Sequence, residues 1–586
     1  GAPGGATTIK IRGTGTVNDA DPLYVVDGFI VDDINHINPN DIANIEIFKD
    51  AASSAVYGAR AANGVVAITT KGGEKGKVSV TFDGYVGFSN PWKKIKVMDT
   101  ENYAMMLDYI NGTTLYSEEG RLYQTKQDDG SFKFDEHKKF LIDDVRNNAP
   151  ANWWDAITQT GVKQQYNVAV SGGNDNTKFM VSGSYYNEKG IVKSSDYQRF
   201  NVRMNLQQKL TSWLDLIANL SYANEDRELI PEGQSSVLKR ALYQNPMVKT
   251  LDDAGLYWRE DHPLAQLERY HRSINRDRAD MNLTLSANWK WFNYQFKVSY
   301  YTTPETTSQF TEVGKLEEDF VMTDLSTVYK YKTHTNKWEI NNLLTFNWNN
   351  KVHSITALVG QTAEGYKYSF QESTKKGTAS NDPSQWFLSS GFTGDKTYGL
   401  DRKWTAVGVI GRVNYNVLDR YLLQANIRMD GSSKFAKNNR WGYFPSVSVG
   451  WKFSSEPFLR DQTWLSLGKL RLGWGQLGNN RIDELARYTY LTSQFNYPYG
   501  QGSHVLQPGQ IAMVIGNDNI KWEKTETYNA GLDFAFMNNT LLFGIEYFNK
   551  HTTDMLLAVP TVSSAGLETD PMTNAGAVRN YGVETS

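Results

Sequence analysis

The stretch that decides the fold is PLYVVDGFIVDDINHINPNDIANIEIFKDAASSAVYGARAANGVVAITT, residues 22–70. Its apolar runs and turn residues predict, in chain order, a strand at 23–26, a helical turn at 39–43, a strand at 45–48, a helical turn at 51–56 and a strand at 65–70. Asp27-Gly28 supplies a turn after the first strand, and Asp50 is a suitable N-cap for the second helical turn. A compact α/β unit is therefore expected ahead of a much longer region with a different pattern.

From Lys77 onward, apolar and polar residues alternate with the two-residue period of a β-strand. The clearest example sets Phe200, Val202, Met204 and Leu206 against Arg199, Asn201, Arg203 and Asn205. If the strands form a membrane barrel, the first set should face lipid and the second set an aqueous lumen, because charged groups need a wet side. Similar alternation predicts about fifteen strands, at 77–88, 166–171, 178–186, 199–207, 213–222, 280–289, 293–300, 337–348, 353–360, 403–415, 420–430, 446–453, 467–476, 526–536 and 540–549. A large soluble β-sandwich or propeller would alternate in the same way, so the pattern alone leaves both architectures open.

The composition of the 586-residue chain excludes several classes of protein. The chain has no cysteine, which excludes disulfides and thiol catalysis, and its net charge of −3 offers no basic face for nucleic acid. No run of about eighteen apolar residues predicts a transmembrane helix. The mean hydropathy of −0.52 is still compatible with a membrane barrel, because only every second residue of a barrel strand contacts lipid. The aromatic content of 13% suits interfacial girdles and also sugar-binding surfaces.

The connections between predicted strands sort into short and long ones, as they do in outer-membrane barrels. A tight turn is predicted at 174–176, whereas long loops are predicted at 90–164, 224–279, 301–335, 371–402 and 477–524. Binding function is expected in the long loops. Their aromatic residues are the candidate substrate-binding residues: Trp153, Trp154, Tyr257, Trp258 and Trp386. Stacking on a substrate, packing within the loops and contact with a partner protein all remain open for them.

No set of residues has a recognisable catalytic or metal-binding spacing. The eight histidines are scattered without an HExxH pattern or a paired zinc spacing. The sequence GTG at 13–15 lacks the helix and lysine of a phosphate-binding loop, and DDG at 128–130 lacks EF-hand spacing, so both are interpreted as turns. Adjacent carboxylates such as those at 32–33 tend to point apart, which does not suit glycoside hydrolysis. We therefore expect no catalytic residue, no cofactor, no metal site and no enzymatic activity.

The segments LYVVDG at 23–28 and NIEIFKDAASSAVYGARAANGVVAITTK at 44–71 stand in a fixed order, and a basic, glycine-rich hinge follows them at 71–76. Together they closely resemble the end of the plug domain of TonB-dependent outer-membrane transporters of the SusC/RagA family. The residues that carry this signature are Tyr24, Val25, Val26, Asp27, Gly28, Glu46, Lys49, Asp50, Tyr57, Gly58, Arg60, Asn63 and Gly64. Further resemblance runs along the chain at 171–214, 245–248, 262–268, 419–459, 522–534 and 574–584.

The resemblance implies a membrane all-β fold, in which a large antiparallel barrel of about 22 strands encloses a small N-terminal α/β plug. We expect the plug at 1–73 and the barrel at 77–586, with the chain stopping before the barrel closes. The implied location is the outer membrane of a Gram-negative bacterium of the Bacteroidota type. The implied partners are a SusD-like surface lipoprotein, TonB through an N-terminal segment outside this chain, outer-membrane lipid and a glycan or peptide substrate. Further surface lipoproteins are compatible with the resemblance.

The function that the resemblance implies is TonB-dependent import of oligosaccharides or oligopeptides under a SusD-like lid. The alternative is a surface protein that binds carbohydrate or acts as an adhesin without transport. Four signature charges, Glu46, Lys49, Asp50 and Arg60, have two possible roles. They either pair with the wall of the barrel and hold the plug reversibly, or only make a small domain soluble.

Overall fold

A computed structural model describes residues 2–5, 8–16, 19–112, 124–126, 132–134, 152–233, 236–247, 262–313, 325–460, 462–492, 496–499, 505–562, 564, 566–567 and 569–586. None of the helices in these ranges is long and apolar enough to cross a membrane. Strands dominate instead, and they form one small sheet near the N-terminus and one very large sheet.

The small sheet has four strands in the order β2-β1-β4-β3. These strands are β1 (Leu23–Val26), β2 (Phe29–Val31), β3 (Ile42–Phe48) and β4 (Val65–Thr70). Helix α1 (Ala51–Ser54) begins after Asp50, whose Oδ1 accepts the Ser53 N–H at 2.8 Å, and 3-10 turns lie at 39–41, 55–57 and 59–63. All the elements predicted for this stretch are confirmed, and β2 is an additional strand. We call the described residues before Gly76 the plug.

Both faces of the plug sheet are covered by apolar residues. Tyr24, Val26, Phe29, Val66 and Ile68 are buried together on one face. On the other face, Leu23, Val25 and Val65 pack against Ala61 from the 3-10 turn. The three signature residues of β1 are therefore core residues, and burial of their side chains stabilises the plug.

The remaining strands, in chain order, are β5 (Gly76–Ser89), β6 (Gln124–Lys126), β7 (Phe132–Phe134), β8 (Gly161–Gly173), β9 (Thr177–Lys189), β10 (Asp196–Lys209), β11 (Leu214–Leu229), β12 (Tyr270–Asn288), β13 (Phe292–Thr311), β14 (Thr327–Asn349), β15 (His353–Lys376), β16 (Thr393–Val417), β17 (Tyr421–Ser432), β18 (Trp441–Trp451), β19 (Leu465–Asn479), β20 (Tyr490–Thr492), β21 (Asn496–Tyr499), β22 (Val505–Pro508), β23 (Ile511–Val514), β24 (Glu523–Phe536), β25 (Leu541–Thr553), β26 (Leu556–Ala558), β27 (Met572–Asn574) and β28 (Ala577–Thr585). Sixteen of them form one antiparallel sheet in the order β28-β25-β24-β19-β18-β17-β16-β15-β14-β13-β12-β11-β10-β9-β8-β5. Neighbours in this sheet also follow one another along the chain, apart from short hairpins within the connections.

The fifteen predicted strands all lie in this sheet, and the sixteenth is β28. The tight turn at 174–176 is confirmed by a hydrogen bond from the Asn174 N–H to the Thr177 carbonyl. Four of the predicted long loops were too long. The strands β11 to β16 extend well into 224–279, 301–335 and 371–402, and β8 begins at Gly161 within 90–164. Apolar residues are too widely spaced in these extensions to form a two-residue apolar period.

The alternation at 199–207 separates two faces of the large sheet. Arg199 donates to the Asn35 carbonyl, Asn201 to the His36 carbonyl at 2.5 Å, Arg203 to Asp27 Oδ2 at 3.5 Å, and Asn205 to Thr70 Oγ1 at 2.9 Å. All four side chains are buried and contact the plug. Phe200, Val202 and Met204 are exposed on the opposite face, and Leu206 is half-buried there. The predicted orientation of the odd set towards the interior is confirmed; we call these the inner and outer faces.

Aromatic residues mark two levels on the outer face. Trp213, Trp289, Trp291 and Trp348 lie at the ends of strands joined by short turns. Further up the same face lie Tyr222, Tyr300 and Trp338. Trp338 and Trp348 are both on β14, and ten residue steps of about 3.4 Å on a strand tilted by about 40° give a height of about 26 Å. This height agrees with the apolar band of outer-membrane barrels, which is about 25 Å.

The long connections contain a packed helical cluster, which lies beyond the upper aromatic level, at the end of the sheet opposite to the short turns. It comprises α2 (Thr100–Asn111), α3 (Trp153–Ile157), α4 (Val237–Tyr243) and α5 (Pro263–Arg269). Ala104, Ile157, Val237 and Met247 are completely buried between these helices. The described parts of these connections therefore pack together as folded structure.

Candidate functional site between the plug and the sheet

Polar contacts join the plug to the inner face of the large sheet. Arg60, in the last 3-10 turn of the plug, donates through Nη2 to both carboxylate oxygens of Glu364 on β15, at 2.7 and 2.6 Å. Lys337 on β14 lies 3.4 Å from the same carboxylate and donates to the Ile30 carbonyl of the plug at 2.9 Å. Burial alone would lower the pKa of Arg60, but the Glu364 charge raises it, so the guanidinium stays charged.

A second set of ion pairs joins the plug to the last strands of the sheet. Arg12 donates to Glu546 on β25 at 2.6 Å and to Glu584 on β28 at 3.0 and 3.2 Å. Lys49 lies 3.2 Å from Glu584 Oε2. Two plug cations therefore share one carboxylate, and hydrogen bonds between charged groups of this kind are stronger than neutral ones.

A third set lies around Asp33, beyond β2. Asp33 Oδ2 accepts from Arg276 at 2.5 Å and lies 3.5 Å from Arg278; both arginines are on β12. The His36 ring is buried between two carboxylates. Its Nδ1 lies 3.6 Å from Asp33 Oδ1, and its Nε2 lies 3.4 Å from Asp280 Oδ2. Burial would raise the pKa of Asp33, but the neighbouring His36 ring and the arginine charges lower it. Burial also lowers the pKa of His36, and Arg278 adds to that effect.

The backbone of the plug is also bound by side chains of the sheet. Gln424 and Asn426 on β17 both donate to the Ala52 carbonyl, at 2.8 and 3.2 Å, and Arg428 donates to the Val56 carbonyl at 3.1 Å. These carbonyls belong to α1 and the turn after it, where the last turn of a helix leaves acceptors without an internal partner. The sheet supplies the donors that such a short helix lacks.

The four signature charges divide into two pairs. Arg60 and Lys49 form the predicted contacts with the wall. Asp50 instead caps α1, and Glu46 accepts from its neighbour Asn44 at 3.0 Å. The two cations therefore contact the wall, their role in holding the plug reversibly stays a prediction, and the acidic residues contact neighbours within the plug.

The remaining polar and glycine signature residues shape the turns of the plug. Asp27 has a positive φ of 50° and accepts from the Thr70 N–H and hydroxyl at 2.9 and 2.8 Å. Asn63 Oδ1 accepts a hydrogen bond from Lys550 Nζ on β25 at 3.3 Å. The Tyr57 ring packs on the Phe48 ring, with 5.6 Å between the ring centroids. Gly28, Gly58 and Gly64 have φ of 82°, 102° and 87°, which favours glycine.

The three candidate loop aromatics that the structure describes lie in packed or partly packed positions. Trp153 is 2% exposed in the helical cluster, and its indole N–H donates to the Asn245 carbonyl at 3.1 Å. The packing alternative therefore applies to Trp153, and stacking on a substrate does not. Trp154 is half-buried, and Trp386 is stacked between His271 and Phe310. Tyr257 and Trp258 lie outside the described residues, as does the DDG turn at 128–130.

A cavity of about 370 Å³ lies against the plug on the side of the long connections. Its lining is strongly charged and includes Asp32, Arg60, Lys434, Arg481 and Glu484. Burial lowers the pKa of Lys434, whereas Glu484, at 3.1 Å, opposes that effect. Across the described ranges, no group of three or more histidine, aspartate or glutamate residues is arranged to hold a metal ion.

Sequence reasoning did not single out Arg12 or His36 on the plug, nor their partners on the sheet, and it considered Asp33 only as a turn residue in an adjacent carboxylate pair. The alternation pattern does place Asp280 and Glu546 at inner positions of their strands. Ionisable residues at inner positions of the alternating strands are therefore the signal that could have found the sheet partners. Their pairing with particular plug residues depends on the order of strands around the plug.

The fold and contacts define a class: a β-sheet wall that surrounds an N-terminal plug and holds it by ion pairs and hydrogen bonds. A family model described as TonB dependent receptor-like, beta-barrel, matches residues 233–586, and one described as TonB-dependent Receptor Plug Domain matches residues 1–65. The chain belongs to the TonB-dependent receptor family.

Individual relatives agree with this assignment. TonB-dependent receptor SusC of Bacteroides thetaiotaomicron is 29% identical over 641 residues, covering 100% of this chain and 59% of that protein. TonB-dependent receptor P39 of Formosa agariphila is 31% identical over 604 residues, covering 100% of this chain and 54% of that protein. The chain thus spans little more than half the length of these curated relatives. The resemblance to the SusC/RagA family is confirmed.

Solved structures show the same fold. The RagAB peptide importer in its closed-closed state matches with a TM-score of 0.83 at 23% identity, covering 99% of this chain and 66% of that chain. The siderophore receptor PirA of Acinetobacter baumannii matches with a TM-score of 0.58 at 15% identity, covering 99% of this chain and 71% of that chain. The predicted combination of antiparallel barrel and plug is therefore confirmed, and the relatives are receptors rather than enzymes. The domain bounds at 73 and 77 stay a prediction.

Proposed function

We propose that this chain forms the plug and much of the barrel of an outer-membrane importer, in which the plug closes the lumen until TonB pulls on it. The observation that carries the proposal is the polar character of the plug contacts, which reach β10, β12, β14, β15, β17, β25 and β28. In a water-filled lumen, water can replace each of these hydrogen bonds as the plug moves. Such an interface holds the plug in place and still permits its release.

The outer face supports a location in the membrane. The exposed apolar set on β10 and the two aromatic levels on β14 are the features expected of strands that cross a bilayer. The short turns would then lie on the periplasmic side and the helical cluster on the cell surface. A soluble carbohydrate-binding or adhesive protein, the alternative function, needs no apolar outer band.

Electrical conductance of the full-length protein in planar lipid bilayers tests the plug. The intact protein is expected to conduct poorly, whereas deletion of the residues before Gly76 should open large, steady pores. The absence of any membrane insertion would overturn the proposal and favour the soluble alternative. Equal conductance with and without the plug would show that the plug does not close the lumen.

A reversible tether tests whether the plug must move during import. A Cβ at position 475 would lie 2.7 Å from the Ala51 Cβ and 2.6 Å from the Ser446 Cβ, and a disulfide separates Cβ atoms by about 3.8 Å, so an Ala51→Cys, Gly475→Cys pair forms only if the plug and β18 both shift. The chain has no other cysteine. Oxidised cells should lose energy-dependent uptake and regain it on reduction, and the single variants, measured in parallel, give the effect of each substitution without the tether. Uptake that continues in the oxidised double variant would exclude displacement of the whole plug.

The imported substrates are proposed to be oligosaccharides or oligopeptides, captured under a SusD-like lipoprotein lid. The charged cavity against the plug supports a polar substrate, and RagAB, a peptide importer by name, supports peptides as one of the two classes. Uptake of fluorescent oligopeptide and oligosaccharide pools, each with and without a protonophore, distinguishes the classes. Purification from native membranes in mild detergent should recover the lid in equal amount. Full uptake in a strain without that lipoprotein would overturn the proposal that a lid is needed.

A further inference from the structure

The outer face of β13 to β16 changes from apolar to basic directly beyond Trp338. The side chains of Lys337, Glu339 and Asn341 are buried on the inner face, so the alternate residues of β14 face outwards. On the short-turn side of Trp338 these outward residues are mainly apolar. On the other side, the register of the four strands brings a polar group of residues together: Thr302, Pro304, Lys332, His334, Asn336, Lys367, Ser369, Gln371, Gly399, Asp401 and Lys403.

Two lysines of this group stand directly opposite each other. Lys367 on β15 pairs in register with Lys403 on β16, which brings their Cβ atoms to within about 5 Å. Like charges at such positions destabilise a sheet. The Asp401 carboxylate lies 3.6 Å from Lys367 Nζ, but both side chains are well exposed, at 71% and 57%, so this ion pair is weak. Lys332 is a third exposed lysine.

The charge balance leaves the group positive. Three lysines face one aspartate, an excess of two positive charges, and His334 is held by a hydrogen bond to the Thr302 hydroxyl at 2.8 Å. We call Lys332, Lys367 and Lys403, with Asp401, the basic patch. A phosphate placed over the patch would relieve the repulsion between Lys367 and Lys403 and accept hydrogen bonds from both ammonium groups.

The height of the basic patch identifies the kind of partner. Lys367 and its register partner Lys403 lie opposite Asn336, two residues beyond Trp338, and therefore just above the band of about 26 Å that the two tryptophans of β14 define. Lys332 lies six residues beyond Trp338, about 16 Å above it. Under the proposed membrane orientation, the level of Lys367 and Lys403 is the headgroup level of the outer leaflet. Basic residues at the surface of a membrane attract anionic lipids. We propose that the basic patch binds the phosphate of a phosphorylated glycolipid in that leaflet. The inference rests on the proposed outer-membrane location.

Binding of diphosphoryl lipid A to the full-length protein in detergent micelles tests the proposal. The test variant is Lys332→Gln, Lys367→Gln, Lys403→Gln, and the control variant is Lys290→Gln, Lys351→Gln, which removes exposed lysines from the short-turn side of the sheet. Native mass spectrometry would count the bound lipid A molecules, and thermal unfolding would measure how much lipid A stabilises the protein. We expect the test variant to bind at least about ten-fold more weakly than the unaltered protein, and the control variant to bind normally.

Three results would overturn the proposal: equal binding by the test variant, equal binding of lipid A without its phosphates, or displacement of lipid A by inorganic phosphate in excess. The last result would assign the patch to free phosphate. Conductance separates these failures from failure of the proposed function. The test variant should still insert into planar bilayers as a closed channel, because none of the three lysines contacts the plug. A protein that never inserts would instead overturn the membrane location itself.

Discussion

Arg60 donates through one nitrogen to both carboxylate oxygens of Glu364, at 2.7 and 2.6 Å, although the two residues lie 304 positions apart in the chain. The guanidinium also lies over the Trp404 ring, 5.2 Å from its centroid. Arg60 is thus held from two neighbouring strands of the sheet. Movement of the plug has to separate this pair.

The first prediction concerns that pair. Arg60→Ala should loosen the plug by less than the roughly 3–5 kcal/mol of a charge left buried without a partner, because Glu364 is 15% exposed and keeps Lys337 at 3.4 Å. Urea titration of the full-length protein, with limited proteolysis of the plug as the readout, measures the effect. Glu46→Gln serves as the control, because Glu46 is exposed and bonds only to Asn44 among the described residues. An Arg60→Ala plug as resistant as the unaltered one would contradict the prediction.

The second prediction is that acid weakens the docked plug through His36. Burial lowers the pKa of His36 in the docked plug, so the docked plug takes up this proton only at a lower pH than a released plug does. In a released plug, the imidazole of His36 is exposed to water and its pKa has the ordinary value of about 6.5. The released plug therefore binds this proton at a higher pH than the docked plug does. The docked state therefore loses stability as the pH falls below about 6.5, by at most about 1.4 kcal/mol per pH unit.

The groups facing His36 set the range of this test. Asp33, Asp280, Arg276 and Arg278 surround the ring, and the pKa of Asp33 is lowered, so its contribution stays complete until the pH falls below about 3.9. The urea midpoint of the unaltered protein should fall between pH 7 and 5. In the His36→Gln variant the midpoint should fall less over the same range. His334→Gln, an exposed histidine on the outer face, should leave it unchanged. A slope that survives His36→Gln would assign the titration to another group.

The third prediction concerns the lipid-facing side of β10. Val202 is 39% exposed on the outer face, and Val202→Arg should cost about 2–4 kcal/mol if the residue lies near the middle of the bilayer. Refolding into lipid vesicles, followed by urea titration, gives the value. Gln207→Arg, at an inner-face position of the same strand near the short-turn end, should cost much less. In membranes, a polar thiol reagent that labels the Val202→Cys variant more readily than the Arg203→Cys variant would contradict the orientation.

The fourth prediction concerns the turn before β4. Gly64 has φ of 87°, and an added Cβ would lie 2.8 Å from Ile11 Cδ1 and 3.1 Å from the Phe48 carbonyl oxygen. Gly64→Ala should therefore destabilise the plug by about 1–3 kcal/mol. Gly72→Ala is the matched control, because its Cβ would have no neighbour within 4 Å. Equal proteolysis rates for the two variants would show that the turn carries no strain.

Much of the fold could be predicted because its signals are local. Alternation at 199–207 follows from the two-residue period of a strand, so a run of nine residues contains the information that separates lumen from exterior. The plug turns were predictable for the same reason, since Asp50 and Gly64 act on the residues next to them. The extensions of β13 to β16 were missed because apolar residues such as Phe310, Val328 and Phe370 are too widely spaced there to form a two-residue apolar period.

The sequence by itself determined the class of the protein, the positions of the strands and the side of the sheet that each residue faces. Tertiary structure alone decided which charges meet. Arg12 reaches Glu584 and Arg60 reaches Glu364 because sixteen strands follow one another around the plug, and no local pattern records which strand comes to lie beside which turn. The burial of Trp153 was decided in the same way, by helices brought together from separate connections. Contacts between distant segments depend on the path of the whole chain, whereas periodicity and capping depend only on neighbours.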